Sequence, residues 1–265
     1  MNWKQTLFWS FSAAAIFYYF LLFGVFVFVG QEEMQLFIPE WWYIREFLFQ
    51  PGGFCAVAGQ WIIQYYRQPM SAVVFHTVLL VGCGFMVYRI LRCFSDKTYL
   101  LFLSLLPVLY LVKMSIHGEY LVDGTVGVVL MLLALSVSLK VRRAGSIAGY
   151  GIASTLFLCG LTGLLSVCYA FLYTLLALLR YKTSRQRLAA SACLIPALFI
   201  YLFSGWLGIP VPLSDGWMPE AYLEIQRLPH YYMYRVWTFF TLSIVGVALF
   251  ARFVPVIGEK SKWMD

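Results

Sequence analysis

Charged residues are scarce in this sequence, at 12% of 265 residues, whereas soluble domains carry about a quarter. Hydrophobic residues make up 62% of the chain and aromatic residues 19%, and Trp and Tyr concentrate at lipid–water interfaces. This balance excludes an ordinary soluble domain. We expect an all-α fold, a polytopic helical membrane protein with a single membrane domain over residues 1–265.

The sequence also lacks the signatures of familiar soluble enzymes, with no Walker loop, nucleophile elbow, zinc-protease helix or Rossmann glycines. Its six cysteines show no zinc or disulfide spacing, and only Cys55 is expected on the outer side. No cleavage-site pattern precedes Gln31, so the first apolar run is expected to remain as an anchor. Function must therefore be sought in a membrane protein.

Apolar runs of span length divide the chain into eight predicted membrane spans. The spans are 8–29, 71–90, 99–114, 122–139, two within 146–179, 187–203 and 236–254. We split the run 146–179 near Gly160, Thr162 and Gly163 because it is too long for one ordinary helix. A single kinked helix there would leave seven spans and move the C-terminus across the membrane.

The distribution of charge favours eight spans. With the N-terminus inside, most Lys and Arg residues fall in cytoplasmic loops, as in other membrane proteins, whereas seven spans would place the basic residues after 179 outside. The basic residues expected outside are Arg45, Arg67, Lys113, Arg227 and Arg235. The net charge of +7 then indicates anchoring at the inner face and not nucleic-acid binding. The expected location is the inner cell membrane, multi-pass, with both termini cytoplasmic.

Two outer segments, 31–70 and 205–234, are long enough to carry function. In the first, the apolar face that begins at Trp41 and Trp42 predicts a short helix in the interface plane. The break at 51–53 ends it, and a second helix over 54–66 is too short to cross the bilayer. Polar amides on that helix, Gln60 and Gln64, must face protein or water.

The second outer segment and the connection at 113–123 hold further polar residues. Glu220, Glu224 and Arg227 have the spacing of a surface ion pair on a short helix between two prolines. Lys113 and Asp123 suit an interfacial pair, although an ionisable residue at membrane depth is also a functional candidate. No cofactor is expected; a divalent metal bound by His117, Glu119 and Asp123 is the one metal hypothesis, on an unspecific pattern.

Glu32 and Glu33 directly follow the first predicted span, and they could simply mark its hydrated end. Carboxylates in this position, followed by an interfacial helix and a second helical piece, resemble the first outer loop of the C-type glycosyltransferase superfamily. Those polytopic enzymes take sugars from polyprenyl-phosphate lipids. The resemblance implies that an acidic residue in this loop is the catalytic base, with Glu32 and Glu33 as the candidates.

The chemistry of such a transfer suits these residues. The lipid phosphate leaves as an anion, so one carboxylate that accepts a proton from the acceptor is sufficient, with cations holding the phosphate. Arginine is suited to bidentate phosphate contacts. The candidate substrate-binding residues are Arg67, Lys113, His117, Glu119, Asp123, Arg227 and Arg235.

A closer resemblance covers about the first seventy residues, together with the general pattern of spans after them. The run QLFIPEWW at 35–42 and PGGF at 51–54, with Gly59, Gln64 and Pro69, resembles an uncharacterised family of bacterial polytopic membrane proteins. That family names no activity, and its members are longer, which leaves a non-catalytic role open. One alternative is a membrane scaffold or subunit of an envelope complex with a membrane-protein partner. Another is a transporter, although no sequence repeat supports it.

Overall fold

The computed structural model describes residues 3–34, 37–95, 97–117, 120–203 and 228–261. Every regular element in these ranges is helical, without a β-strand, which confirms the predicted all-α class. Three helices, Trp3–Phe23, Pro69–Leu91 and Ala144–Thr162, are long and apolar enough to cross a membrane. Large apolar side chains on the helix surfaces face outward, for example Phe26 with 87% of its surface exposed. Both observations fit a protein in contact with lipid.

The first predicted span consists of two helices, α1 (Trp3–Phe23) and α2 (Val25–Met34), which meet at Gly24. Helical hydrogen bonds continue across the junction, since Gly24 N donates to Phe20 O at 2.8 Å and Phe28 N donates to Gly24 O at 3.0 Å. The helix therefore extends beyond the predicted end at residue 29. The sequence suggests that Glu32 and Glu33 lie in a loop after the first span. In the structure they lie in the last turn of α2.

The first outer segment contains the two predicted helices, α3 (Trp41–Leu48) and α4 (Gly53–Ile63), followed by a 3-10 turn, Gln64–Arg67. The break between α3 and α4 depends on glycine. Gly52 has a φ of +85°, and a Cβ on Gly53 would lie 1.7 Å from Phe47 O. Helix α5 (Pro69–Leu91) begins at the proline that ends this segment, because proline needs no N–H partner in the first helical turn.

The middle of the chain contains α6 (Leu100–Ser115), α7 (Val122–Ser138), α8 (Ala144–Thr162) and α9 (Leu165–Arg180). The predicted division of the run 146–179 is confirmed. Gly163 separates α8 from α9 with φ +61° and ψ −130°, a conformation that favours glycine. Gly52 is its neighbour in space, and Gly52 N donates to Gly160 O at 3.1 Å.

The last elements are α10 (Ser184–Ser191), α11 (Leu194–Leu202) and α12 (Leu228–Ser261). The predicted span over 187–203 is not one continuous helix, because it is interrupted at Ala192 and Cys193. Pro196 explains the interruption, since it has no N–H to donate to the carbonyl of Ala192. Most of the second outer segment, 204–227, lies outside the described residues.

Contacts between helix ends show which elements meet at each end of the molecule. Gln5, at the start of α1, donates to the Tyr88 hydroxyl near the end of α5 at 2.8 Å. At the same end, the Tyr181 hydroxyl after α9 donates to Val141 O, between α7 and α8, at 2.6 Å. The opposite end holds the end of α2, the α6–α7 connection, α4 and the α8–α9 break. Candidate site residues must therefore be sought at this second end.

Candidate functional site

The last turn of α2 connects the first outer segment to the connection between α6 and α7. Gln31 is buried, and its Nε2 donates to the carbonyl of Tyr120 at 2.9 Å. Glu32, the next residue, is half-buried. Helix α2 also packs against the 3-10 turn that carries Arg67, whose side chain is exposed. The structure thus brings a candidate base and a candidate phosphate ligand to one end of the molecule.

The α6–α7 connection contributes Lys113 and His117, both with exposed side chains. It is a tight turn, since His117 N donates to Met114 O at 2.9 Å and Tyr120 N donates to His117 O at 3.0 Å. The bond between Gln31 and Tyr120 O places this turn beside the end of α2. Lys113 and His117 are therefore on the same end as Glu32.

Asp123 lies in the first turn of α7, half-buried against α4. Its Oδ1 accepts a hydrogen bond from Gly124 N at 2.7 Å, and a carboxylate at a helix N-terminus is favourable. A Cβ on Gly59 would lie 2.7 Å from the Cβ of Asp123, so α4 approaches α7 as closely as glycine allows. The interfacial pair of Asp123 with Lys113 stays a prediction.

Two polar side chains of α4, those of Cys55 and Gln60, contact other parts of the protein. Cys55, expected on the outer side, is buried between α4 and α7, and burial, with the nearby charge of Asp123, raises the pKa of its thiol. Gln60 Oε1 accepts a hydrogen bond from the Tyr43 hydroxyl of α3 at 3.1 Å. This contact confirms that Gln60 faces protein.

Four of the predicted site residues lie wholly or partly outside what the structure describes. Glu119 and Arg227 fall in undescribed segments, and of Glu33 and Arg235 only the helical backbone is described. The metal hypothesis, which needs Glu119, is therefore untested. Within the described ranges, no group of three or more His, Cys, Asp or Glu side chains is arranged to hold a metal ion.

Sequence reasoning missed a set of buried polar and aromatic residues around the last turns of α2, next to Glu32. We call them the buried cluster, which comprises Phe28, Gln31, Tyr66, His76, Tyr120 and Thr125. His76 Nε2 lies 2.7 Å from the Tyr66 hydroxyl, and the His76 ring stacks on Phe28 with centroids 4.2 Å apart. Phe28 and Gln31 share one face of α2 because they are three residues apart. The cluster therefore fixes the turn of α2 that carries Glu32.

The buried cluster is polar at its centre. Thr125 Oγ1 donates to the Tyr120 hydroxyl at 3.2 Å, and burial raises the pKa of the Tyr66 and Tyr120 phenols, so both stay neutral. Two further atoms, Gln31 Oε1 and His76 Nδ1, are buried without a hydrogen-bond partner among the described residues. Each such atom costs about 1–3 kcal/mol. His76 had a signal in the sequence, since an ionisable residue within an apolar run is a functional candidate.

Comparison with known proteins gives a family but no activity. A model described as a family of unknown function (DUF6057) matches residues 1–264. No curated protein and no solved structure matches the chain. The match agrees with the predicted likeness to an uncharacterised family, whereas the likeness to C-type glycosyltransferases stays a prediction.

Proposed function

The chain therefore belongs to DUF6057, a family of unknown function, and we propose that it is a glycosyltransferase-like membrane enzyme. It would take a sugar from a polyprenyl-phosphate lipid on the extracytoplasmic face. One observation carries this proposal: three parts of the chain that hold the candidate base and candidate cations lie together. These parts are the end of α2, the 3-10 turn with Arg67, and the α6–α7 connection.

The proposal includes a placement in the inner membrane with both termini in the cytoplasm. The eight membrane segments would be α1 with α2, α5, α6, α7, α8, α9, α10 with α11, and α12. Three apolar helices, α6, α7 and α9, are shorter than a full span, at 16 or 17 residues, which a bilayer accommodates by local thinning. The excess of basic residues at one end supports this topology.

Glu32 is the preferred base in this scheme. Its half-buried position at the end of a helix fixed by the buried cluster suits a carboxylate that must meet a hydroxyl in one orientation. It would accept the proton of the acceptor hydroxyl as that oxygen attacks the anomeric carbon. The bond to the lipid phosphate breaks, and the phosphate departs as an anion that needs no general acid.

The exposed cations would hold the departing phosphate. Arg67 and Lys113 have free access to a lipid headgroup because both side chains are exposed. His117 and Asp123 would contact the sugar or the acceptor from the α6–α7 side. Glu33, Glu119, Arg227 and Arg235 belong to the same proposal through their place in the sequence.

A test can precede any knowledge of the acceptor. The gently purified chain would be examined by native mass spectrometry for a bound polyprenyl-phosphate lipid. We expect this lipid on the wild type, with strong loss in Arg67→Gln and Lys113→Gln. Arg45→Gln is the matched control, since Arg45 is an exposed basic residue of α3 outside the site. Only bulk phospholipid on the wild type, or equal retention in all variants, would contradict the proposal.

A second role, as a non-catalytic subunit of an envelope complex, is favoured by the surface of α3. Trp41, Trp42 and Phe49 are all largely exposed there, and exposed aromatic clusters are typical of partner or lipid contacts. If the chain is such a subunit, Trp41→Ser with Trp42→Ser should release a stoichiometric partner that Glu32→Gln leaves bound. Co-purification followed by size-exclusion chromatography would separate the two roles.

A further inference from the structure

The end of the molecule opposite the candidate site contains an open groove between α9 and α10. Its volume is about 560 Å³, and it is lined by Leu178, Ser184, Arg185, Arg187, Leu188 and Ser191. Sites for small ligands occupy about 300–1,000 Å³. The groove combines two exposed leucines with two exposed arginines, which is the composition that an amphipathic ligand requires.

The groove lies in a region of one charge sign. Segments 140–143 and 180–187, which we call the basic end, contain no acidic residue. Their basic residues are Lys140, Arg142, Arg143, Arg180, Lys182, Arg185 and Arg187. Gln186 Nε2 donates to Arg142 O at 2.7 Å, so the two segments are adjacent. The positive charges of both segments therefore contribute to the electrostatic potential at the groove.

A backbone contact fixes Arg187 at the groove without using up its donors. Arg187 Nε donates to Tyr181 O at 2.8 Å, which holds the start of α10 against the end of α9. The two terminal amino groups of its guanidinium still carry four N–H donors. A phosphate is the ligand group that such a fork recognises best.

The apolar side of the groove continues along the surface of the helices. Leu188 is 75% exposed and Ile195, on α11, is 72% exposed. On α9, Phe171 is also exposed. It lies on the same face as Leu178, two turns nearer the start of the helix. These exposed apolar side chains beside the arginines fit an acyl chain better than a soluble acidic peptide.

We propose that this groove binds one anionic phospholipid. The headgroup phosphate contacts Arg185 and Arg187, and an acyl chain lies along Leu178 and Leu188. Charge complementarity selects an anionic headgroup. In the proposed topology the groove lies at the cytoplasmic face, where basic pockets between helices bind anionic lipid headgroups. The proposal is independent of any glycosyltransferase activity, because it uses the opposite end of the molecule.

Native mass spectrometry of the full chain in a non-ionic detergent tests this site. Phosphatidylglycerol and phosphatidylcholine with the same acyl chains would be titrated separately. We expect one phosphatidylglycerol to bind in preference to phosphatidylcholine, and Arg185→Gln to weaken that binding about fivefold, the contribution of one basic residue near an anionic headgroup. Leu188→Ser should weaken it as well, whereas Arg185→Lys should retain most of it.

Lys97→Gln is the matched control, because Lys97 is exposed between α5 and α6 and lies outside the groove. It removes the same charge and should leave phosphatidylglycerol binding unchanged. Equal weakening by Lys97→Gln and Arg185→Gln would overturn the proposal, since only net charge would then matter. Equal binding of the two phospholipids by the wild type would also overturn it, as would displacement of phosphatidylglycerol by a co-purifying acidic protein.

Discussion

The two ends of this molecule use polar residues in opposite ways. At the end that carries Glu32, polar side chains are buried and hydrogen bonded between helices, as in the contacts of Gln31 with Tyr120 and of Tyr66 with His76. At the basic end, the polar side chains are mostly exposed, and every charged one is positive. Buried polar contacts impose geometry, whereas exposed like charges create a field. The end with Glu32 is thus suited to orienting reacting groups, and the basic end is suited to attracting an anionic surface.

The largest effect in this comparison is expected from Glu32→Gln. If Glu32 is the base, the substitution should lower sugar transfer about 10²–10⁴-fold while the protein stays folded. The measurement is single-turnover transfer from the lipid-linked sugar that co-purifies with the wild type. Glu46→Gln is the control, because Glu46 is an exposed acid of α3. Wild-type transfer by both Glu32→Gln and Glu33→Gln would return these residues to the role of a hydrated helix end.

The next effect concerns the glycines that allow α4 to pack at the same end. Gly53→Ala places a Cβ against the backbone oxygen of Phe47, which cannot move like a side chain, and should cost about 3 kcal/mol. We expect a clear fall in the thermal midpoint in detergent. Gly82→Ala is a matched control with nothing within 4 Å of the added atom. Equal midpoints for the two variants would mean that the turn before α4 is not tightly packed.

The buried cluster should respond to His76→Phe by an amount of about 1–3 kcal/mol, since the Tyr66 hydroxyl is left buried without a partner. Adding Tyr66→Phe removes that hydroxyl and should recover part of the loss. A double-mutant cycle of thermal midpoints measures the coupling, which should exceed about 0.5 kcal/mol. Simple additivity would show that the contact between the two rings contributes nothing specific.

The smallest effect is expected at the basic end. Arg143 is exposed, and Arg143→Gln should change the free energy of unfolding by less than about 0.5 kcal/mol. The thermal midpoint in detergent without added phospholipid is the measurement. A loss as large as that of His76→Phe would remove the contrast between the two ends, because it would show that the exposed Arg143 side chain itself makes a contact that stabilises the fold.

Sequence reasoning located the elements better than it located the site. Apolar runs predicted the long helices, and Gly163 with its neighbours predicted the break between α8 and α9, because both signals act within a few residues of the chain. Pro196, a kink candidate in the sequence, carried the signal for the interruption within 187–203, because proline has no N–H to donate inside a helix. Local patterns therefore sufficed for most of the fold.

The buried cluster could not be predicted in the same way. His76 is notable in its apolar run, but its partners Tyr66 and Phe28 come from a 3-10 turn and from another helix. The position of Glu32 depends on helical hydrogen bonds that continue past Gly24, which the pattern of apolar residues does not show. Contacts between distant segments decide these features, and a single sequence carries little information about them.

The contact between Gly52 and Gly160 sets an order of events during synthesis. Helix α4 packs most extensively against α7 and also contacts the α8–α9 break, and both are made long after α4 itself. Until they are made, the first outer segment lacks these two partners, and contacts between distant segments form slowly. The end of the protein that carries Glu32 is thus completed late. A ribosome that stalls before α8 would leave a chain with its first helices inserted and this end still open.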